Sequence, residues 1–191
     1  MRWLTLYARS RQVPASLAVV VISAVVVSAL ARDGGQGAGD PRLTALVLAA
    51  GATAASVGLG GQDVALDRTA AIRWVPRRAV HVLLIGTVVA GVLLAVRTVG
   101  GSPADIGFVV RDSAGLAGLA AVGATVCGAR NAWTVPVAWL SFSLFAPPSP
   151  GVPRQVVTWM TLPPGSAVGT WTALALAVVG TAAYAFAGPR R

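Results

Sequence analysis

The sequence predicts an all-α, single-domain polytopic membrane protein over residues 1–191. Three observations carry the prediction: a composition short of charge, six apolar runs of near-bilayer length, and an uneven placement of arginine. Of the residues, 55% are hydrophobic and 11% charged, and no Lys or Glu occurs. Soluble domains carry about 25% charged residues, so this chain has too few for a wet surface, and lipid becomes its solvent. The formal net charge of +9 does not point to nucleic acid, because the arginines lie between apolar runs rather than in a stripe interleaved with aromatics.

Residues 1–12 form the first element, an interfacial segment. Trp3, Leu4, Leu6 and Tyr7 fall on one helical arc, with Arg2, Thr5 and Arg9 opposite. Trp3, Tyr7 and Arg9 suit the headgroup level, and Pro14 then turns the chain inward. The first apolar run, Val13–Ala31, reads as a span. It also fits a cleaved signal peptide, since Arg2, Arg9 and Arg11 precede it and Ala29-Leu30-Ala31 ends it. The second and third runs are Leu43–Gly61 and Ala79–Val96. Ser113–Gly128 and Ala132–Ala146 are short for a bilayer, which asks about 20 apolar residues of a helix. They count as two spans because Gly128-Ala129-Arg130-Asn131 is a charged, turn-prone break. Between the fifth span and the sixth, Ala167–Ala187, the external loop 147–166 is short and rich in Pro. It has room for one or two helical turns around Val156–Met160, dipping into the outer leaflet with Trp159 as a membrane-interface anchor beside Met160.

Arginine sets the orientation. With the N-terminus inside, the cytoplasmic segments hold Arg2, Arg9, Arg11, Arg68, Arg73, Arg77, Arg78, Arg130, Arg190 and Arg191. The external ones hold Arg32, Arg42, Arg97, Arg111 and Arg154, together with Asp33, Asp40, Asp105 and Asp112. Both termini are therefore expected in the cytoplasm.

No Asp falls inside an expected span, so the interior offers no ionisable group of the sort a proton- or ion-coupled carrier keeps at depth. Small residues recur four apart, as Gly51 with Ala55, Gly86 with Ala90, Ala114 with Gly118 and Ala120 with Ala124. They read as helix packing. Cys127 reads as an inert packing residue and His81 as an interfacial polar residue beginning the third span. One His, one Cys and no Glu build neither a metal cluster nor a familiar nucleophile–base pair, so no catalytic and no metal residues are assigned. Without Lys there is no phosphate-binding loop of the Walker type.

Charge gathers instead in the cytoplasmic loop 62–78, where DVALDRTAAIRWVPRR holds six of the 21 charged residues. Gly58-Leu59-Gly60-Gly61 ends the second span, Asp63 suits a helix cap, and Pro76 suits the first turn of the third span while favouring an extended Val75. Asp63–Trp74 thus reads as a separate helix of about three turns at the membrane face. Leu66, Ile72 and Trp74 interrupt its charge and suit docking. Arginine alone enforces topology, so the bland reading of this loop is a retention signal.

This arrangement resembles the membrane (permease) subunit of bacterial ABC exporters of the type-two class. That family has an N-terminal interfacial helix, six spans with both termini inside, and a coupling helix between spans two and three that fits a partner ATPase. MRWLTLYARSRQ matches the first feature and GGQDVALDRTAAIRWVPRRAVH the last. The resemblance puts Asp63, Asp67, Arg68 and Arg73 at the family's charged ATPase-coupling positions, and the apolar docking residues Leu66 and Ile72 complete the ATPase-coupling set. The resemblance also implies an ABC ATPase partner that carries the ATP and Mg, no cofactor on this chain, and a second permease copy or homologous permease. The location it implies is the bacterial inner membrane. Members are usually longer, use Glu in the coupling region, and carry re-entrant helices where this chain has only 147–166. Two other classes stay open: a non-transporting assembly, immunity or anchoring subunit, and a small secondary carrier. The substrate is not legible.

Overall fold

A computed structural model describes residues 13–33, 40–59, 74–99, 105–146 and 151–190. The expected interfacial segment 1–12 and most of loop 62–78 lie outside them. All described elements are helical, and their order follows the apolar runs: α1 Val13–Asp33, α2 Pro41–Ser56 with a 3-10 turn Val57–Leu59, α3 Trp74–Val99, α4 Ile106–Val126, a 3-10 turn Ala129–Asn131, α5 Thr134–Phe145, α6 Val152–Val157, a 3-10 turn Trp159–Thr161, and α7 Ala167–Ala187. Four segments are long and apolar enough to cross a membrane: Pro41–Leu59, Trp74–Val99, Ile106–Val126 and Ala167–Ala187. The apolar stretch described within α1, Leu17–Val26, is shorter. So is α5, whose 12 residues make a helix of about 18 Å against a hydrocarbon core of about 30 Å.

Local chemistry explains the helix starts. Asp40 accepts a hydrogen bond from the Arg42 backbone N–H at 2.8 Å, and Pro41 follows at the first helical position of α2. Asp105 accepts from Phe108 N–H at 2.9 Å and Ser166 from Gly169 N–H at 3.2 Å, capping α4 and α7. The three caps lie at one end of the bundle, here called distal. The other, proximal, end carries Leu59, the start of α3, the α4–α5 turn and the tail after α7. Hydrogen bonds cross within each end, Arg97 to Thr44 distally and Tyr184 to Leu59 proximally.

The central helix is α4. In its apolar window 72% is enclosed, against 22% for α7, and Leu116, Leu119, Ala120 and Ala124 pack with Leu48, Val82 and Leu93 in the core. The small residues do pack: Gly51 faces Val89 and Val20, and Gly86 faces Ala117 and the Ser113 carbonyl. At Gly118 and Gly180, α4 and α7 touch backbone to backbone, with Gly118 against Leu176 and Gly180 against Gly118. No side chain fits there, as in membrane helix pairs whose close approach replaces a hydrophobic drive. Outward faces are apolar, with Ile22, Leu83, Leu84, Phe142, Val178, Val179 and Phe186 exposed. A bundle whose outside is greasy is a membrane protein.

Several expectations need correction. α3 begins at Trp74 rather than Ala79, so Trp74 belongs to the span and Val75 is helical; Pro76 sits in a first turn where its missing N–H costs nothing. α4 begins at Ile106 rather than Ser113, because Asp105 caps it. Cys127 is exposed at the end of α4 rather than packed, since the chain turns at Gly128, φ 90°.

Candidate functional site

The earlier start of α4 carries Arg111 and Asp112 into the bundle, which overturns the expectation of an interior without ionisable groups. Arg111 is 8% exposed and Asp112 0%. Neighbours in sequence, they form an ion pair, with Arg111 Nε donating to Asp112 Oδ1 at 2.7 Å. The other guanidinium donors all reach main-chain carbonyls of the distal interval. Nη1 donates to Pro163 at 3.0 Å, and Nη2 to Leu162 at 2.9 Å and Trp159 at 3.3 Å. The Phe108 ring lies 4.9 Å from the guanidinium carbon and covers its face.

These bonds answer a requirement of the interval 151–166. It does not float outside but tucks back into the bundle as a hairpin of α6 and the 3-10 turn, packed on α2, α5 and α7 and bonded to α4 through Arg111. The Val157 carbonyl accepts from Trp139 Nε1 at 3.0 Å and Ser143 Oγ at 2.7 Å. Ser143 lies about 3 Å and Trp139 about 9 Å before the end of α5 at 1.5 Å per residue, so the hairpin reaches back along the last two turns of that helix. Irregular backbone at membrane depth survives only where protein satisfies its polar groups. Here Arg111, Trp139 and Ser143 do so for the carbonyls of Val157, Trp159, Leu162 and Pro163.

Trp159 locks the hairpin. Expected to anchor the loop in lipid, it is instead 0% exposed, with its ring against Gly115, where a β-carbon would collide with it. Met160 is equally enclosed. The reason is the six-membered edge of the indole, which fills the gap that Gly115 leaves on α4. Two polar atoms of the cluster, Asp112 Oδ2 and Trp159 Nε1, find no partner among the described residues. Arg97, also buried, donates to Thr44 Oγ1 at 3.1 Å at the same end.

The proximal end bears a second arrangement. His81 lies within α3, where its Nε2 donates to the Gly58 carbonyl at 3.1 Å, and Tyr184 Oη donates to Leu59 at 2.7 Å. The point at which the chain leaves α2 for segment 60–73 is thereby bonded to α3 and to α7. The expected coupling residues Asp63, Leu66, Asp67, Arg68, Ile72 and Arg73 lie outside the described residues, as do Trp3, Tyr7 and Arg9. Among the described residues no three His, Cys, Asp or Glu side chains come together.

The cap pattern would have exposed the distal cluster: Asp105-Ile-Gly-Phe starts a helix at Ile106 and places Arg111 and Asp112 in its second turn. Nothing in the sequence announced that Trp159 faces Gly115. No protein-family model, curated protein or solved structure matches the chain.

Proposed function

We propose that this chain is the permease subunit of an ATP-driven exporter in a bacterial inner membrane, energised by a separate ATPase that docks on loop 62–78. The observation that carries the reading is the anchoring of that loop. His81 and Tyr184 bond its first fixed point, Gly58–Leu59, to α3 and α7, and α3 itself begins at Trp74. A push on segment 60–73 therefore loads α2, α3 and α7 together, as a coupling element must. Its carboxylates, Asp63 and Asp67, have no part in orientation, which depends on arginine.

The proximal end faces the cytoplasm in this reading. Two of the five arginines assigned outside, Arg97 and Arg111, are buried in the bundle, which leaves the ten inside arginines opposed by Arg32, Arg42 and Arg154. Six crossings follow if α1 spans and α5 completes its crossing with the hairpin that packs on it. Single cysteines at Gln62 and Gln36, in a Cys127→Ala background, should then label from opposite sides, with Gln36 reached by impermeant thiol reagents in intact cells. Labelling of Gln62 alone inverts the topology.

The functional test is copurification. The tagged chain should bring down an ATPase, and Asp63→Ala with Asp67→Ala should weaken that association or uncouple hydrolysis from export. Each charge-assisted hydrogen bond lost is worth about 1.5–3 kcal/mol, while membrane abundance stays unchanged. Wild-type association and export in the double variant would reduce the loop to a topology signal.

One observation favours a secondary carrier as second reading: Asp112 is an enclosed carboxylate within a spanning helix. Uphill transport driven by a proton or sodium gradient without ATP, and lost in Asp112→Asn, would establish it in place of the first.

A further inference from the structure

Three arginines from three elements lie at the proximal end, and nothing described in the protein binds their guanidinium groups. Arg78 is in the second turn of α3, Arg130 in the 3-10 turn between α4 and α5, and Arg190 in the tail after α7. The segment after α7 is stapled: Arg190 N–H donates to the Ala124 carbonyl at 3.0 Å, and the Arg190 carbonyl accepts from Ala129 N–H at 3.3 Å. The tail is thus bonded to the turn that bears Arg130. Two residues earlier, Gly188 has φ 72°, and a β-carbon there would lie 2.7 Å from Arg78 Nη1. The Arg78 guanidinium therefore rests on the tail backbone, and two residues span at most about 7 Å. Among the described residues, no carbonyl and no carboxylate accepts a side-chain hydrogen bond from Arg78, Arg130 or Arg190. The described Asp residues, Asp33, Asp40, Asp105 and Asp112, all lie toward the distal end.

The surroundings indicate what the cluster takes. Three or four residues from Arg130 and Arg190 the surface is apolar: Val126 at the end of α4, Trp133 before α5 and Phe186 on α7 are all exposed. An acidic protein surface would use the charges and leave these side chains uncovered. A molecule with a phosphate at one end and alkyl chains at the other satisfies both.

We infer that Arg78, Arg130 and Arg190 form a fixed binding site for the headgroup phosphate of an anionic phospholipid, whose acyl chains lie along Phe186, Trp133 and Val126. Retention of arginine for topology needs only the number of charges on one side. It does not need a stapled tail, nor a glycine that makes room for a guanidinium. The site stands independently of whether the chain transports anything, and it uses none of the residues of loop 60–73.

The test uses the full chain, purified in a neutral detergent and titrated with phosphatidylglycerol or phosphatidylcholine, with retention read by native mass spectrometry. Phosphatidylglycerol should bind at least tenfold more tightly. Each arginine near an anionic surface is worth about 1 kcal/mol, or about fivefold in affinity. Arg78→Gln and Arg190→Gln should each lose about that factor, and Arg78→Lys should keep most of it. Arg77 serves as control, because it lies over the Trp74 ring, 6.0 Å from its centroid, and carries the same charge at the same end. Arg77→Gln should lose less than twofold, with all variants keeping wild-type helicity by circular dichroism. Equal retention of the two lipids overturns the site and leaves the cluster to an acidic protein surface. Equal losses in Arg77→Gln and Arg78→Gln overturn it in favour of diffuse charge. Saturation by inorganic phosphate at the same concentration overturns it as a lipid site.

Discussion

Arg111→Ala lowers the stability of the bundle by about 3–5 kcal/mol, the range for removing one partner of a buried ion pair. The variant leaves the Asp112 carboxylate enclosed without its counter-charge, and it strips the carbonyls of Trp159, Leu162 and Pro163 of their donor. Lys at this position recovers little, because a single ammonium cannot reach the carboxylate and three carbonyls that the planar fork reaches together. Removing both charges with Arg111→Ala and Asp112→Ala should do less damage than the sum of the single changes, since no unpaired charge is left. Unfolding in detergent, followed by tryptophan fluorescence, reads the stability. Protease cleavage within 151–166 reads the hairpin and should rise sharply in Arg111→Ala. A wild-type midpoint with a protected hairpin would assign the whole attachment to Trp159 packing on Gly115.

Gly118→Leu is the second change with a large effect. A core residue that gains methylenes usually costs about 1–3 kcal/mol because neighbours shift rotamers. Around Gly118 the neighbours are the Leu176 carbonyl and the Ala177 backbone, which have no rotamers to shift. The two helices must separate, so we expect the upper end of that range or beyond, with loss of the folded bundle on purification. Gly180→Leu should match it from the other side. Gly91→Ala supplies the contrast: it lies exposed on α3 with nothing within 4 Å of an added β-carbon. It should be neutral or stabilise by about 0.5–1 kcal/mol through helix propensity. Size-exclusion profiles and thermal midpoints of the three variants decide the matter. A folded Gly118→Leu protein with a wild-type midpoint would mean that α4 and α7 do not touch there.

Each apolar run overlaps a helix among the described residues, four of them long enough to cross a membrane, because burial in lipid leaves a compositional mark that needs no knowledge of neighbours. The break at Gly128 was legible for a related reason: a glycine followed by Arg130 and Asn131 suits neither a helix interior nor the bilayer. Helix ends were less legible where polarity misled. Arg111 and Asp112 look like loop residues when counted as charges, and only the cap at Asp105 reveals that the helix has already begun. Trp159 looked interfacial because exposed indoles prefer headgroups, whereas its position depends on Gly115, 44 positions earlier, and no local pattern encodes such a pairing. His81 and Tyr184 are ordinary residues in sequence. Their value as ties to Gly58 and Leu59 exists only once three helices are side by side.

The adjacency of Arg111 and Asp112 also sets an order of events during synthesis. The carbonyls that Arg111 will bind belong to residues 48 to 52 positions further along the chain. At about 5–20 residues per second, the ribosome makes them roughly 2–10 s after Arg111 itself. Throughout that wait the guanidinium has its next neighbour, Asp112, as counter-ion, so α4 can enter the translocon as a locally neutral helix. The hairpin can close on Arg111 only once residues 159–163 have been made.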